Sequence, residues 1–340
     1  MDKPGLIAEI GLVAYPDAQL SALHGLTDLF RIANWQNAAL GGRDARAIRI
    51  THWRAADDDH VDCVYDTHPG QPNAPRFLIA PPSLVMPVDM ARTDAFTVWM
   101  RDLHEHGATL CSVCAGAFVL AETGLLAGRQ VTTHWAFAEA LAARFPEIQV
   151  AAEHMVIDGG DVITAGGILA WTDLGLRLVE HLMGASVMLA TARFLLVDPP
   201  GREQRSYALF VPRFDHGDGA VLKAQHWLHA HLAEETAVPD LGRLAGLEPR
   251  TFLRRFQKAT GLKPVEYRQQ MRIAKAREGL ELTRRSIDEI GWRVGYSDPA
   301  AFRRIFHRVT GLAPGDYRRR FGVAAQGADI MADTHDKLPV

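Results

Sequence analysis

The sequence predicts two structural classes in one chain: an α/β region built on a parallel sheet with helices on both faces, then an all-α region with two helix-turn-helix units. Three observations predict this. Short apolar runs alternate with helix-period segments up to about residue 197, the grammar of a helix-covered sheet. Residues 218–321 match themselves at an offset of about 50, each copy carrying turn and helix-stop glycines. Charge divides at the same place: residues 1–219 hold 16 basic and 26 acidic side chains, and residues 220–322 hold 20 and 11.

The 340 residues exceed what one hydrophobic core usually covers, so two domains are expected. With 48% hydrophobic and 23% charged residues the chain is too apolar for disorder. Its longest stretch free of charge and histidine, 107–121, is 15 residues, too short for a helical membrane span. The start, MDKPGLIAEIGLVAY, places Glu9 in its apolar run and lacks the pattern of a signal peptide, so a cytoplasmic protein is expected. Cys63, Cys111 and Cys114 have neither disulfide-framework nor metal-ligand spacing. No metal and no cofactor are expected.

In the first region, 6–15, 47–53, 76–80 and 108–113 read as strands, and 19–38 and 93–106 as helices. Asp57-Asp58-Asp59 reads as a solvated loop, and Gly159-Gly160 as a hairpin turn. The strand at 108–113 runs into Cys114-Ala115-Gly116 and then an apolar helix, which puts Cys114 in a tight strand-to-helix turn at the carboxyl edge of the sheet. A helix N-terminus there would favour a thiolate. His134 is its expected neighbour, with Asp173 or Glu139 as candidates to orient the imidazole. Cys114, Ala115, His134, Gly166 and Gly167 of the next turn, and Trp171, whose ring could face an ammonium group, form the expected ligand pocket. Helices at 169–183 and 185–197 would serve either as dimer elements or as sheet cover. Residues 198–217, rich in Pro, Gly and charge, read as a connector.

In the second region the register pairs Phe252/Phe256 with Phe302/Phe306, Thr260-Gly261-Leu262 with Thr310-Gly311-Leu312, and turn glycines Gly246 with Gly295. Each copy reads as a short helix, a turn, and a second helix with proline early in it and glycine after it. Phenylalanines four apart face a small core, so the residues between them face outward. Outward are Arg250, Thr251, Leu253, Arg254 and Lys258 in copy one, and Ala300, Arg303 and Arg304 in copy two. Such helices enter the major groove, where arginine can read guanine and alanine a thymine methyl group. Double-stranded DNA is the expected partner. Residues 265–282 read as one long helix that holds the copies together, and His226, His229 and His231 as surface or packing residues.

With RIAKARE, IDEIGWRVGYSD and TGLAPGDYRRRF, the segment from about 218 to 321 resembles the AraC/XylS-type DNA-binding domain. Its departure is Glu248, where that family often has a serine cap; the carboxylate is expected to accept the helix-end amides. VCAGAFVLAETGLLAGRQVTTHW resembles the DJ-1/PfpI, or glutamine-amidotransferase-like, superfamily, which implies a flavodoxin-like sheet over residues 6–197. Near residues 20–22, where enzymatic members place an acid, this chain has Ser21, with Asp17 nearby. Together the two resemble the GlxA-type regulators. The resemblance implies a homodimeric, non-catalytic sensor of a small effector, an amino-acid or amine-type nitrogen compound. The alternatives are a Cys114-dependent hydrolase or hydratase, and a redox sensor. The expected layout is a sensing domain over 1–197, a connector over 198–217, a DNA-binding domain over 218–321 and a mobile tail over 322–340.

Overall fold

The computed structural model describes residues 5–42, 45–57, 60–91 and 93–323. Asp58 and Asp59 of the acidic loop, and the expected tail from residue 324 onward, lie outside the described residues. The chain forms two compact units that meet in sequence at Gln204 and Arg205. The division falls inside the expected connector, whose residues 198–204 fold with the first unit and 205–217 with the second.

The first unit runs β1 (Leu6–Val13), α1 (Leu20–Gly41), β2 (Ala47–Ala55), β3 (Val61–Asp66), β4 (Pro75–Ala80), α2 (Asp94–Glu105), β5 (Thr109–Val113) and α3 (Gly116–Ala121). It continues with β6 (Gln130–Val131), a short 3-10 turn at Trp135–Phe137, α4 (Ala138–Arg144), β7 (Gln149–Val150), β8 (Val156–Asp158), β9 (Val162–Ala165), α5 (Trp171–Met183) and α6 (Ala185–Leu195). Seven strands form one sheet in the order β3-β2-β1-β4-β5-β9-β8, and β6 and β7 pair separately. The five inner strands are parallel, but both edges, β3 and β8, are antiparallel, so the sheet is mixed at its margins. β8 turns back at Gly159-Gly160, where Gly160 has φ +87°. β3 alternates half-buried and exposed residues, so it lacks the continuous apolar run that marks the inner strands.

Helices cover both faces of the sheet. α1, α5 and α6 pack on one another, and α5 also packs on β9. Their approach to α1 requires small residues: a Cβ on Gly25 would lie 2.5 Å from the Trp171 ring, and one on Gly175 about 3.0 Å from Leu29.

Under the sheet's opposite margin lies an ion network that periodicity could not reveal. The Arg49 side chain, almost fully buried, donates to Asp66 at 2.7 and 2.9 Å, to Glu9 at 3.1 Å, to the Gln71 and Pro72 carbonyls and to Asn73. Glu9, also buried, accepts from Thr51 and the Ala74 amide. One guanidinium thus ties β1, β2, β3 and the approach to β4.

The second unit is helical: α7 (Gly219–Ala230), α8 (Val238–Leu244), α9 (Pro249–Thr260), α10 (Pro264–Leu282), α11 (Ile287–Arg293), α12 (Pro299–Thr310) and α13 (Pro314–Phe321). It has two separate cores, one per copy. Phe252, Phe256 and Tyr267 stand in the first with Val221, Leu228 and Leu241, and Phe302, Phe306 and Tyr317 in the second with Ile273, Leu280 and Ile290. The repeated Thr-Gly-Leu has one structural role in both: threonine Oγ1 donates to the phenylalanine carbonyl one turn back, and glycine in the left-handed region (φ +77° and +76°) ends the helix. Among the described residues no helix is long and apolar enough to cross a membrane.

Replacing Arg49 with leucine leaves the Glu9 carboxylate buried without its counter-charge, and urea unfolding followed by circular dichroism should show a loss of about 3–5 kcal/mol. Arg49, first through its hydrogen bonds, holds the Asp66 carboxyl below its ordinary range. That contribution is therefore present above the unfolded carboxylate pKa and fades as pH falls through the lower folded value. An unchanged midpoint in the variant would contradict the role given to Arg49.

Candidate functional site

Two places in the fold concentrate chemistry: the outward faces of α9 and α12, and the strand-to-helix turn at Cys114. In the helical unit the turns at Gly246 and Gly295 adopt positive φ (+69° and +91°) and reverse the chain before each second helix. Arg250, Leu253, Arg254 and Lys258 on α9, and Ala300, Arg303 and Arg304 on α12, are all exposed, while Thr251 is half-buried. Arg250, Arg254, Lys258 and Arg304 make no ion pair among the described residues, whereas Arg303 pairs with Asp288. With Arg308, exposed in the last turn of α12, six arginine and lysine side chains project from the two helices.

The helix starts differ. Asp298 caps α12, accepting from the amides of Ala300 and Ala301 at 2.9 and 3.1 Å. Glu248 stands at the same place before α9 but accepts no capping hydrogen bond, contrary to expectation. Its extra methylene departs from the short side chains that reach the first-turn amides.

α10 packs on elements of both copies, and its Arg272 links them further. Its buried guanidinium donates to the carbonyls of Leu232, Ala233 and Glu234 at 2.9–3.2 Å and to Glu235, and it lies 5.5 Å from the centroid of the Tyr296 ring. The loop after α7 thereby meets the turn of the second copy, and a Cβ on Gly295 would strike the Ala233 carbonyl at 2.5 Å. Sequence periodicity reads 265–282 as one long helix and does not single out Arg272. The signal was available in its neighbours, since 272, 273, 276, 277 and 280 share the buried face. His226 stacks on Phe214 and His229 bonds the Tyr267 hydroxyl, so both are packing residues.

In the first unit Cys114 is strained as its sequence context suggests, with φ +54° in a non-glycine residue. Its amide donates to the Ala165 carbonyl and its carbonyl accepts from Thr133 Oγ1 at 2.7 Å. A Cβ on Gly116 would fall 2.2 Å from the Ala80 carbonyl, so the turn requires glycine there. The expected thiolate is not found. Burial pushes the thiol up to about 12, opposed by a hydrogen bond from the Ala115 amide, and α3 has only six residues to set against that desolvation.

His134 follows Thr133 but caps the 3-10 turn, Nδ1 accepting from the Ala136 amide, and burial lowers its pKa. No hydrogen bond joins it to Cys114 among the described residues. Asp173, a candidate to orient that imidazole, is buried and instead pairs with Arg202. Glu139 is exposed, and Ser21 is exposed on α1. The Trp171 ring packs over Gly25 rather than standing open to a cation. Ala115 is buried and Gly167 half-buried.

The space beside Gly166 is filled by a residue that sequence reasoning missed. The Gln204 carboxamide, 2% exposed, donates to Thr132 Oγ1, the Thr133 carbonyl and the His154 carbonyl at 3.1, 2.9 and 3.0 Å, and accepts from the Trp135 amide at 3.2 Å. A Cβ on Gly166 would lie 1.9 Å from it. A polar residue in a Pro- and Gly-rich segment gives no local sign of burial. A separate cavity of 590 Å³ opens at the carboxyl ends of β1 and β2, lined by Tyr15, Asp17, His24, His52 and Arg54 among others, and by none of the expected pocket residues. His52 there is neutral, its pKa lowered to about 4 by burial and then by His24.

A strained turn at the carboxyl edge of a largely parallel sheet, followed in the chain by two helix-turn-helix units, defines the class of protein. Residues 70–181 match the model of the DJ-1/PfpI family, and residues 241–320 match the model of a helix-turn-helix domain. One chain thus carries a stretch similar to the DJ-1/PfpI family and, after it, a stretch similar to a helix-turn-helix domain. It is similar to the HTH-type transcriptional regulator GlxA of Rhizobium meliloti, 32% identical over 62% of this chain and 65% of that protein. It is also similar to the HTH-type transcriptional regulator CdhR of Pseudomonas aeruginosa, 27% identical over 61% of each. The matches thus span somewhat less than two thirds of these relatives' lengths. A shorter stretch, 22% of this chain and 31% of the relative, is 39% identical to an isonitrile hydratase of Pseudomonas putida.

With Cys63 replaced by serine, iodoacetamide at neutral pH should modify Cys114 of the folded chain at least about 100-fold more slowly than in the urea-unfolded chain, read by peptide mass spectrometry. Equal rates would show an accessible, ionised thiol.

Proposed function

We propose that the protein is a sequence-specific, DNA-binding transcriptional regulator, with α9 and α12 as the reading helices and the DJ-1/PfpI-family domain as the sensor of a small effector. The observation that carries this reading is the pair of outward helices bearing Arg250, Arg254, Lys258, Arg303 and Arg304, held in one unit by α10 and its Arg272. Arginines near the start of such helices suit guanine edges in the major groove, while Lys258, later in its helix, suits a phosphate. Ala300 suits a thymine methyl group.

The proposed layout keeps the sensor through Gln204 and the DNA-binding unit from Arg205, with homodimerisation aligning two such units on an operator. The effector proposed is an amino-acid or amine-type nitrogen compound, bound near the elbow of Cys114, Ala115, His134, Gly166, Gly167 and Trp171. Turnover is not proposed. The buried neutral thiol and the engagement of His134 and Asp173 elsewhere favour a sensing role over a Cys–His nucleophile.

Fluorescence anisotropy on the gene's own upstream DNA, against a scrambled duplex, tests the reading. Arg254→Ala and Arg304→Ala should each weaken the preferred duplex by about 1–3 kcal/mol and relax base preference locally, whereas Lys258→Ala should weaken both duplexes alike. Equal effects of all three on both duplexes would overturn the assigned reading positions.

A further inference from the structure

The niche that holds Gln204 has a defined chemistry. Three acceptors, Thr132 Oγ1 and the Thr133 and His154 carbonyls, converge on one nitrogen, and the Trp135 amide donates to the oxygen beside it. Such a set suits a primary carboxamide, whose two N–H groups share the three acceptors, and refuses a carboxylate, which would set a second oxygen against three others. Gly166 leaves the room, since any side chain there would occupy the place of the amide.

Its connections run in two directions. Thr133, whose carbonyl accepts from Gln204, donates its hydroxyl to the Cys114 carbonyl, so the niche shares a residue with the elbow. Along the chain, the Gln204 amide donates to the Glu153 carbonyl and Arg202 pairs with buried Asp173. The following residues belong to the helical unit, where buried Arg277 donates to the Arg205 and Ala208 carbonyls and Phe210 packs edge-on to Tyr267. The backbone on either side of the 204–205 bond is therefore fastened within its own unit. No slack residue separates the niche from the first residue of the DNA-binding unit.

We propose that this niche is a carboxamide-binding site whose resident is the chain's own Gln204, and that seating or release of that side chain is the latch by which the elbow controls the connector. This deepens the sensor reading given above and rests on it. An effector that moves Thr133 or claims its carbonyl unseats Gln204, and the release passes through one peptide bond to Arg205.

The experiment uses the full chain with Gln204→Ala and Gln204→Glu, which keeps the volume but loses the donors. Hydrogen exchange in peptides covering 202–210 should be at least about tenfold faster in both variants. Acetamide, the group that truncation removes, should slow exchange again in Gln204→Ala but not in Gln204→Glu, and acetate should act on neither. Affinity for the upstream duplex should shift about fivefold or more in both variants. Wild-type exchange in both variants, or faster exchange with unchanged DNA affinity, overturns the latch. Failure of acetamide to slow exchange in Gln204→Ala overturns the assignment to a carboxamide. If the wild-type chain does not prefer its upstream duplex, the regulator reading fails by itself, and the exchange and acetamide measurements still decide the niche.

Discussion

A buried guanidinium spread over consecutive backbone carbonyls is the constraint on which the helical unit depends. Each copy has a small core of its own, and two such cores on one polypeptide could settle independently. α10, packed on elements of both, and its Arg272 prevent that, the arginine by fixing the loop after α7 against the turn of the second copy, with Gly295 leaving the space. The interaction tolerates burial because nearly every donor of the guanidinium meets an oxygen. Arg49 follows the same logic in the sheet, whereas Arg277 fastens the connector through two carbonyls and leaves its buried Nε without a partner among the described residues. In all three, arginine supplies what lysine could not, a planar fork that serves several acceptors at once.

The elbow inverts the usual relation between strain and reactivity. Its backbone has the geometry associated with an exposed nucleophile, yet the thiol is buried and neutral. The Cys114 carbonyl accepts from the Thr133 hydroxyl, and the Thr133 carbonyl accepts from Gln204. The strained turn coincides with a buried thiol and not with one presented to solvent.

Much of this was legible in the sequence. The inner strands were visible because burial on both faces writes a continuous apolar run, and the duplicated helices because two phenylalanines one turn apart recur with the same Thr-Gly-Leu stop. The elbow was visible because a strand running into Cys-Ala-Gly leaves little other choice. What escaped was polar and nonlocal. β3 is not among the expected strands because it is an edge with alternating exposure. Arg49, Arg272 and Gln204 owe their burial to partners 17 to 72 positions away, which no window along the chain can see. The ionisation of Cys114 was misjudged for a related reason: a short helix N-terminus is a local feature, and desolvation by the surrounding core is not.

The two helix-turn-helix copies are unequal where they would meet a ligand. One presents Arg250 and Leu253 from a helix whose first turn lacks a side-chain cap, and the other presents Ala300 and Arg303 from a helix locked by Asp298. Under the proposed reading, a duplex sequence that suited the first copy would not suit the second. The site such a pair would read would have a left and a right, so a single polypeptide would carry polarity along the double helix without help from a partner.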